Sequence, residues 1–219
     1  MKMRLVKKAP NVYIAYLSTQ YELCMTFVRM QEFYESPEFR GKYFTLEEFM
    51  DHWAVNFGGG SFDYTTEWMG FNLPGTIIMD WLREFYYAIG REMRGKEHEF
   101  IEKLFTRLNR DKVKLEDCYI IGVSSDDDDI KNSIDHELAH AFYHLYPKYK
   151  KSCDKLLKSD KHKELVKFAK AELKDLGYGD NVLLDEVQAF WSASAGDAFL
   201  EPQEDFQKNF IKFRKSLQK

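Results

Sequence analysis

The sequence has few cysteines and no long apolar run, and each shortage excludes a class of protein. Its only three cysteines, Cys24, Cys118 and Cys153, form no CxxC pair, so we expect a reducing compartment rather than a disulfide framework. No stretch approaches the roughly 18 apolar residues that span a bilayer. The basic N-terminus lacks the apolar core and cleavage site of a signal peptide. These features predict a cytoplasmic protein without a membrane partner, or one exported by a route that the N-terminus does not show.

Concentrated positive charge and the common nucleotide and nucleophile motifs are missing as well. The formal net charge is −4. Lysines crowd between Lys148 and Lys174, but acidic residues are interleaved there, which is typical of a solvated helix face. No nucleic-acid-binding surface is therefore evident. The chain has no Gly-Lys-Ser/Thr phosphate loop and no Gly-x-Ser-x-Gly elbow, which argues against nucleotide binding and against a serine nucleophile.

The residues that are present predict a single domain, 1–219, of mostly helical α+β class. Hydrophobic residues make up 44% and charged residues 31%, a mixture typical of a folded globule. Residues 1–110 predict a helical N-terminal part that matches no family, with a glycine- and aromatic-rich loop at Gly58–Gly75 whose aromatic side chains enter the core. Strands are predicted at Val12–Leu17 and Cys118–Val123. Helices are predicted over Ser18–Glu35, from a capping box at Thr45 through Trp53, and over Thr76–Ile89, Lys96–Leu108, Ser133–Tyr146, Lys151–Leu176, Leu183–Ala193 and Gln203–Leu217.

One segment, Ser133–Tyr146, reads SIDHELAHAFYHLY and contains the pattern HExxH. Residues four apart share a helix face, so His136 and His140 can direct both imidazoles at one zinc ion. Glu137 is rotated about 100° from His136 and can take a proton from a water that the metal acidifies. His144 lies two turns beyond His136, too far for all three histidines to bind one ion. The pattern predicts a catalytic zinc site.

A catalytic zinc needs a third protein ligand, and three acidic residues are candidates. The metzincin continuation is excluded, because Tyr143 and Tyr146 occupy the places of its glycine and third histidine. The predicted helix Leu183–Ala193 places Glu186 on the same side as two small alanines, which permits close approach to the HExxH helix. We therefore predict Glu186 as the third ligand, with Asp185 and Asp180 as rivals.

His136–His140 followed by a glutamate on a later helix resembles the gluzincin branch of zinc metallopeptidases. Over 118–195 the resemblance implies a zincin-like catalytic core, in which a small β-sheet packs against the HExxH helix and the substrate lies along an edge strand. Many gluzincins have an aspartate one turn after the glutamate that supports a zinc-bound histidine. This sequence has Phe190 there, so the residue supporting the histidine is unassigned.

These residues predict a zinc-dependent peptidase that acts on a peptide or protein substrate, with Glu137 as general base. Tyr143 and His144 are the predicted further catalytic residues, because each can donate a hydrogen bond to an oxyanion. Tyr146 and Tyr178 are candidates for the same role. Two alternatives use the same residues: a catalytically silent zincin-like scaffold that binds a protein, and a zinc hydrolase of a non-peptide amide.

Overall fold

The computed structural model describes residues 3–68, 70–86, 92–176, 178–193 and 203–218. Its contacts divide the chain into two compact units, Met1–Ile130 and Lys131–Lys219. The sequence predicted one domain, and the expected catalytic core, 118–195, includes parts of both units. The fold is α+β, with all four described strands in the first unit.

The first unit contains a mixed four-stranded sheet with the strand order β1-β2-β4-β3. The strands are β1 (Arg4–Ala9), β2 (Val12–Leu17), β3 (Gly70–Pro74) and β4 (Tyr119–Ser124). The two apolar runs predicted as strands are β2 and β4; they pair in parallel, and both are almost wholly buried. β1 and β3 pair antiparallel to their inner neighbours. They form the two edges of the sheet, so β4 is not an edge strand.

The two edge strands were not predicted, and each has a local reason. β1 has the sequence RLVKKA, whose charged side chains dilute its apolar pattern, and it joins β2 through Pro10 and Asn11. Asn11 has a φ of 59°, a left-handed conformation that asparagine tolerates. β3 lies within Gly58–Gly75, which was wrongly predicted to be loop throughout. Its Pro74 is acceptable because β3 is an edge strand.

The α-helices described in the first unit are α1 (Gln20–Glu35), α2 (Leu46–Asn56), α3 (Tyr64–Glu67), α4 (Gly75–Tyr86) and α5 (Gly95–Asp111), and a short 3-10 helix covers Leu115–Asp117. The capping box before α2 is confirmed. The Glu48 amide donates to Thr45 Oγ1, and the Thr45 amide donates to Glu48 Oε2 at 2.7 Å. The predicted end of α4 at Ile89 lies outside the described residues. Among the aromatic side chains after Gly58 that were predicted to enter the core, Tyr64 and Phe71 are fully buried, whereas Phe62 and Trp68 are only partly buried against it.

The described residues of the second unit form the helices α6 (Ile130–Leu145), α7 (Pro147–Leu157), α8 (Lys163–Asp175), α9 (Leu183–Ser192) and α10 (Glu204–Ser216). α9 packs against both α8 and α10. The single helix predicted over Lys151–Leu176 was wrong, because the chain turns between α7 and α8. At that turn His162 is buried against Trp191 and Phe206, and its Nδ1 lies 2.9 Å from Ser159 Oγ. Within the described part of the chain, no helix combines the length and apolarity needed to cross a membrane.

Candidate metal centre

The two histidines of the HExxH pattern lie side by side on α6, as helical spacing requires. Their Nε2 atoms are 3.2 Å apart, and their ring centroids are 4.8 Å apart. His140 is almost fully buried, whereas the side chain of His136 keeps 18% of its exposure. One end of the pair is thus held in the protein interior while the other remains within reach of solvent.

Glu186, near the start of α9, brings a carboxylate to this pair. Its Oε2 lies 3.8 Å from His136 Nε2 and 3.5 Å from His140 Nε2. Potential ligand atoms from the three side chains all lie within 4.8 Å of one another. Over the described residues, this is the one group of three or more histidine, cysteine or carboxylate side chains with such a geometry. The structure therefore groups the three predicted ligands.

The spacing of the three donor atoms fits a zinc ion. Ligand atoms at 2.0 to 2.1 Å on a tetrahedron are roughly 3.3 to 3.4 Å apart. The three separations here, 3.2, 3.5 and 3.8 Å, bracket that value. Two imidazoles and one carboxylate are also a donor set that catalytic zinc uses, with a fourth position left for water or substrate. The residues present therefore fit the expected metal.

The charges around the cluster favour a positive charge at its centre. Burial alone would lower the pKa of His140, but the carboxylates of Asp185 and Glu186 outweigh burial and hold that pKa well above its usual value. Burial, reinforced by the charge on His140, lowers the pKa of His136 well below its usual value. A metal bound at the two Nε2 atoms would take the place of the positive charge on His140, and its binding would release the His140 proton.

Asp185 supports His140 from the side opposite the other donor atoms. Its Oδ1 lies 3.0 Å from His140 Nδ1, and it also accepts a hydrogen bond from Gln188 Nε2 at 2.9 Å. Once His140 is neutral, a carboxylate at Nδ1 keeps the remaining proton on that nitrogen and leaves Nε2 free for a metal. Sequence reasoning considered Asp185 only as a rival ligand. The sequence signal for this role was that Asp185 directly precedes Glu186 on α9 and projects about 100° away from it around the helix.

Neither Asp180 nor Phe190 contributes a donor atom to the group of three side chains. Asp180 is exposed and forms an ion pair with Lys174 at 2.6 Å, so it is not grouped with the histidines. Phe190, which stands where many gluzincins have an aspartate, packs edge-on against His136 with 4.6 Å between ring centroids. An apolar ring there restricts the imidazole by contact rather than by a hydrogen bond.

A buried polar network continues from Asp185 into the neighbouring helices. Gln188, which donates to Asp185, accepts a hydrogen bond from the Tyr149 hydroxyl on α7 at 3.3 Å. The Tyr149 hydroxyl also lies 3.3 Å from Ser192 Oγ. Burial raises the pKa of the adjacent Cys153 thiol to about 12, so this thiol is neutral. The network ties the orientation of His140 to the packing of α7 and α9.

Glu137, the predicted general base, is buried on α6 one residue after His136. Such burial removes water from around a carboxylate and strengthens its interactions with other charges.

The predicted oxyanion donors are placed differently from one another. The Tyr143 hydroxyl donates to Asp154 Oδ1 at 2.6 Å, and burial together with this bond raises its pKa. Its proton is therefore already engaged by a carboxylate. His144 is exposed and, with Tyr143 and Asp185, lines a pocket of about 340 Å³. Tyr146 and Tyr178 are both half-buried.

Comparison of this chain with models of known protein families, with characterised proteins and with solved structures gave no match. The geometry of the cluster is therefore the basis for a functional assignment.

Proposed function

We propose that this chain is a zinc-dependent metallopeptidase of gluzincin type, in which α6 and α9 are the ligand-bearing helices of a zincin-like core. The observation that carries the proposal is the convergence of His136, His140 and Glu186, with Glu137 of the HExxH pattern buried beside the first histidine. A cytoplasmic location is part of the proposal. It is supported by the three cysteines, which are all buried and free of disulfides.

In this proposal the three grouped side chains hold the metal and Glu137 moves the proton. A zinc ion bound there would supply Lewis acidity and would lower the pKa of water toward about 7. Glu137 accepts a proton from the attacking water and returns it to the amine of the departing peptide. Asp185 holds the His140 imidazole in the orientation that binding requires.

Replacing Glu137 by glutamine tests the proposal. Glutamine keeps the size of the side chain but cannot accept the proton, so peptide hydrolysis should fall at least about a hundredfold. Zinc content should stay at one per chain, and the melting temperature should stay within a few degrees of wild type, because Glu137 is not among the grouped donors. The substrate would come from a mixed peptide library, with chelator-treated wild type as the blank.

Two results would contradict the proposal. Unchanged turnover in Glu137→Gln would show that another residue is the base. A wild-type protein that holds one zinc and cleaves no peptide in the library would point instead to a silent binding scaffold or to a hydrolase of non-peptide amides.

A further inference from the structure

Positive charge is concentrated in one segment of the second unit. Between Lys148 and Lys174 the sequence has ten lysines and only four acidic residues, although the whole chain has a formal net charge of −4. This segment contains α7 and α8. In the sequence, the interleaved acidic residues suggested an ordinary solvated helix face. In the structure, the lysines of α8 lie on one side of the helix and its acidic residues lie on other sides.

Four lysines of α8 form a stripe along one side of the helix, which we call the α8 lysine stripe: Lys163, Lys167, Lys170 and Lys174. Their spacing of four, three and four residues keeps them within roughly 60° around the helix axis, over a length of about 16 Å. Together with Val166 and Ala171 they line a shallow groove of about 370 Å³. The acidic residues Glu164 and Asp175 lie roughly 90° further round.

The charge of this stripe is largely uncompensated. Within the described parts of the chain, Lys163, Lys167 and Lys170 have no carboxylate within ion-pair distance. Asp180 pairs with Lys174 and its charge also acts on Lys170, but the Lys174 and Asp180 side chains are exposed to solvent, and such a pair contributes little. Like charges this close repel one another, so an anionic partner would relieve the repulsion.

We propose that the α8 lysine stripe docks an acidic, extended protein segment. Side chains on one face of an extended chain recur roughly every 6.6 Å, and successive lysines of the stripe are about 4.5 to 6 Å apart along the axis. Flexible lysine side chains can span that difference. Val166 and Ala171, with the lysine stems, give the groove an apolar floor that a peptide backbone and its methylene groups can contact.

Neither a membrane nor a nucleic acid fits this surface as well. The exposed apolar side chains of α8, Leu165 and Phe168, lie about 120° or more round the helix from the stripe. A flat lipid surface could not contact both sets at once. Single-stranded nucleic acids bind through aromatic stacking beside positive charge, and no residue lining the groove is aromatic.

α8 packs against α9, the helix that carries Glu186, so a segment bound at the stripe is held on a direct neighbour of a ligand-bearing helix. We infer that this segment is part of the peptidase substrate, and that inference rests on the proposed peptidase function. The docking itself does not, because it depends only on the charge and shape of α8.

The test is binding of a fluorescent decaglutamate peptide to the full chain carrying Glu137→Gln, which prevents cleavage during the measurement. Adding Lys163→Gln, Lys167→Gln and Lys170→Gln should weaken binding about tenfold, the combined contribution of three exposed ion pairs of ordinary strength. Binding should also weaken as salt is raised. The matched control carries Lys8→Gln, Lys42→Gln and Lys114→Gln, three exposed lysines of the first unit. It removes the same charge and should bind within about twofold of the parent.

Equal losses in the two triple variants would overturn the proposal, because net charge alone would then explain binding. Tighter binding of a single-stranded oligonucleotide of matched charge would overturn it too. The peptidase proposal is judged separately, by cleavage of neutral peptides in the wild type. Peptide cleavage without decaglutamate binding would refute only the docking proposal. Stripe-dependent binding without any peptide cleavage supports the surface and leaves the peptidase proposal without support.

Discussion

Asp185 is predicted to determine zinc affinity without being a ligand. Its carboxylate lies 3.0 Å from His140 Nδ1, and its side chain is 28% exposed. Loss of such a supporting carboxylate typically costs about tenfold to a hundredfold in metal affinity, or roughly 1.4 to 2.7 kcal/mol. The loss of zinc affinity in Asp185→Ala should lie in this range. The sequence offered Asp185 only as a rival to Glu186 for the third ligand position, and the contact with His140 is the reason for assigning it a supporting role.

Variants at nearby positions should lose more or less zinc affinity than Asp185→Ala. Glu186→Ala removes one of the three grouped donor atoms and should weaken zinc binding more than Asp185→Ala does. Asp180→Ala should bind like wild type, because that side chain is 80% exposed and pairs only with Lys174. Asp185→Asn keeps an oxygen acceptor for the imidazole but loses the charge, so its affinity should be intermediate.

The measurement is a competition for zinc between each variant and a chromophoric chelator, with thermal melting to check that the fold is intact. If Asp185→Ala bound zinc as tightly as Asp180→Ala, the contact with His140 would not support the metal site. A greater loss in Asp185→Ala than in Glu186→Ala would exchange their roles and make Asp185 the ligand.

Two further predictions concern the histidine pair and a titrating group in the first unit. His136→Ala combined with His140→Ala should abolish stoichiometric zinc by elemental analysis, and one equivalent retained would place any metal site elsewhere. Burial raises the pKa of Glu32 from 4.5 to about 7, although the hydrogen bond from the Tyr64 hydroxyl at 2.7 Å opposes the shift. Because the folded-state pKa is the higher one, the wild type loses stability through Glu32 as pH rises from about 4.5 to about 7, by about 3 kcal/mol. Glu32→Gln keeps an acceptor for Tyr64 and should gain stability relative to wild type over that interval in chemical denaturation, and parallel curves for the two proteins would contradict this.

The sequence predicted those parts of the fold that depend on neighbouring residues. The capping box at Thr45 and Glu48 involves residues three apart, and its hydrogen bonds form as expected. The apolar runs of β2 and β4 marked the buried strands. The pairing of His136 and His140 required only that α6 be helical, because one turn separates them.

The sequence predicted less well where distant segments decide the outcome. β3 becomes a strand because it pairs with β4, about 50 residues further along the chain, and its own glycine and proline suggested a loop. The turn between α7 and α8 depends on the burial of His162 against Trp191 and Phe206, which belong to α9 and α10. Local helix propensity runs through this turn without a clear stop.

The candidate site divides in the same way. The sequence by itself determined the HExxH pattern and the helix that pairs its two histidines, because both are properties of about five consecutive residues. Only the tertiary structure shows that the carboxylate of Glu186, and not those of Asp185 and Asp180, is grouped with the two Nε2 atoms, because α9 and the segment before it place the three carboxylates differently. That placement follows from how α9 packs in the second unit, and packing between segments some 50 residues apart leaves no periodic signal in the sequence.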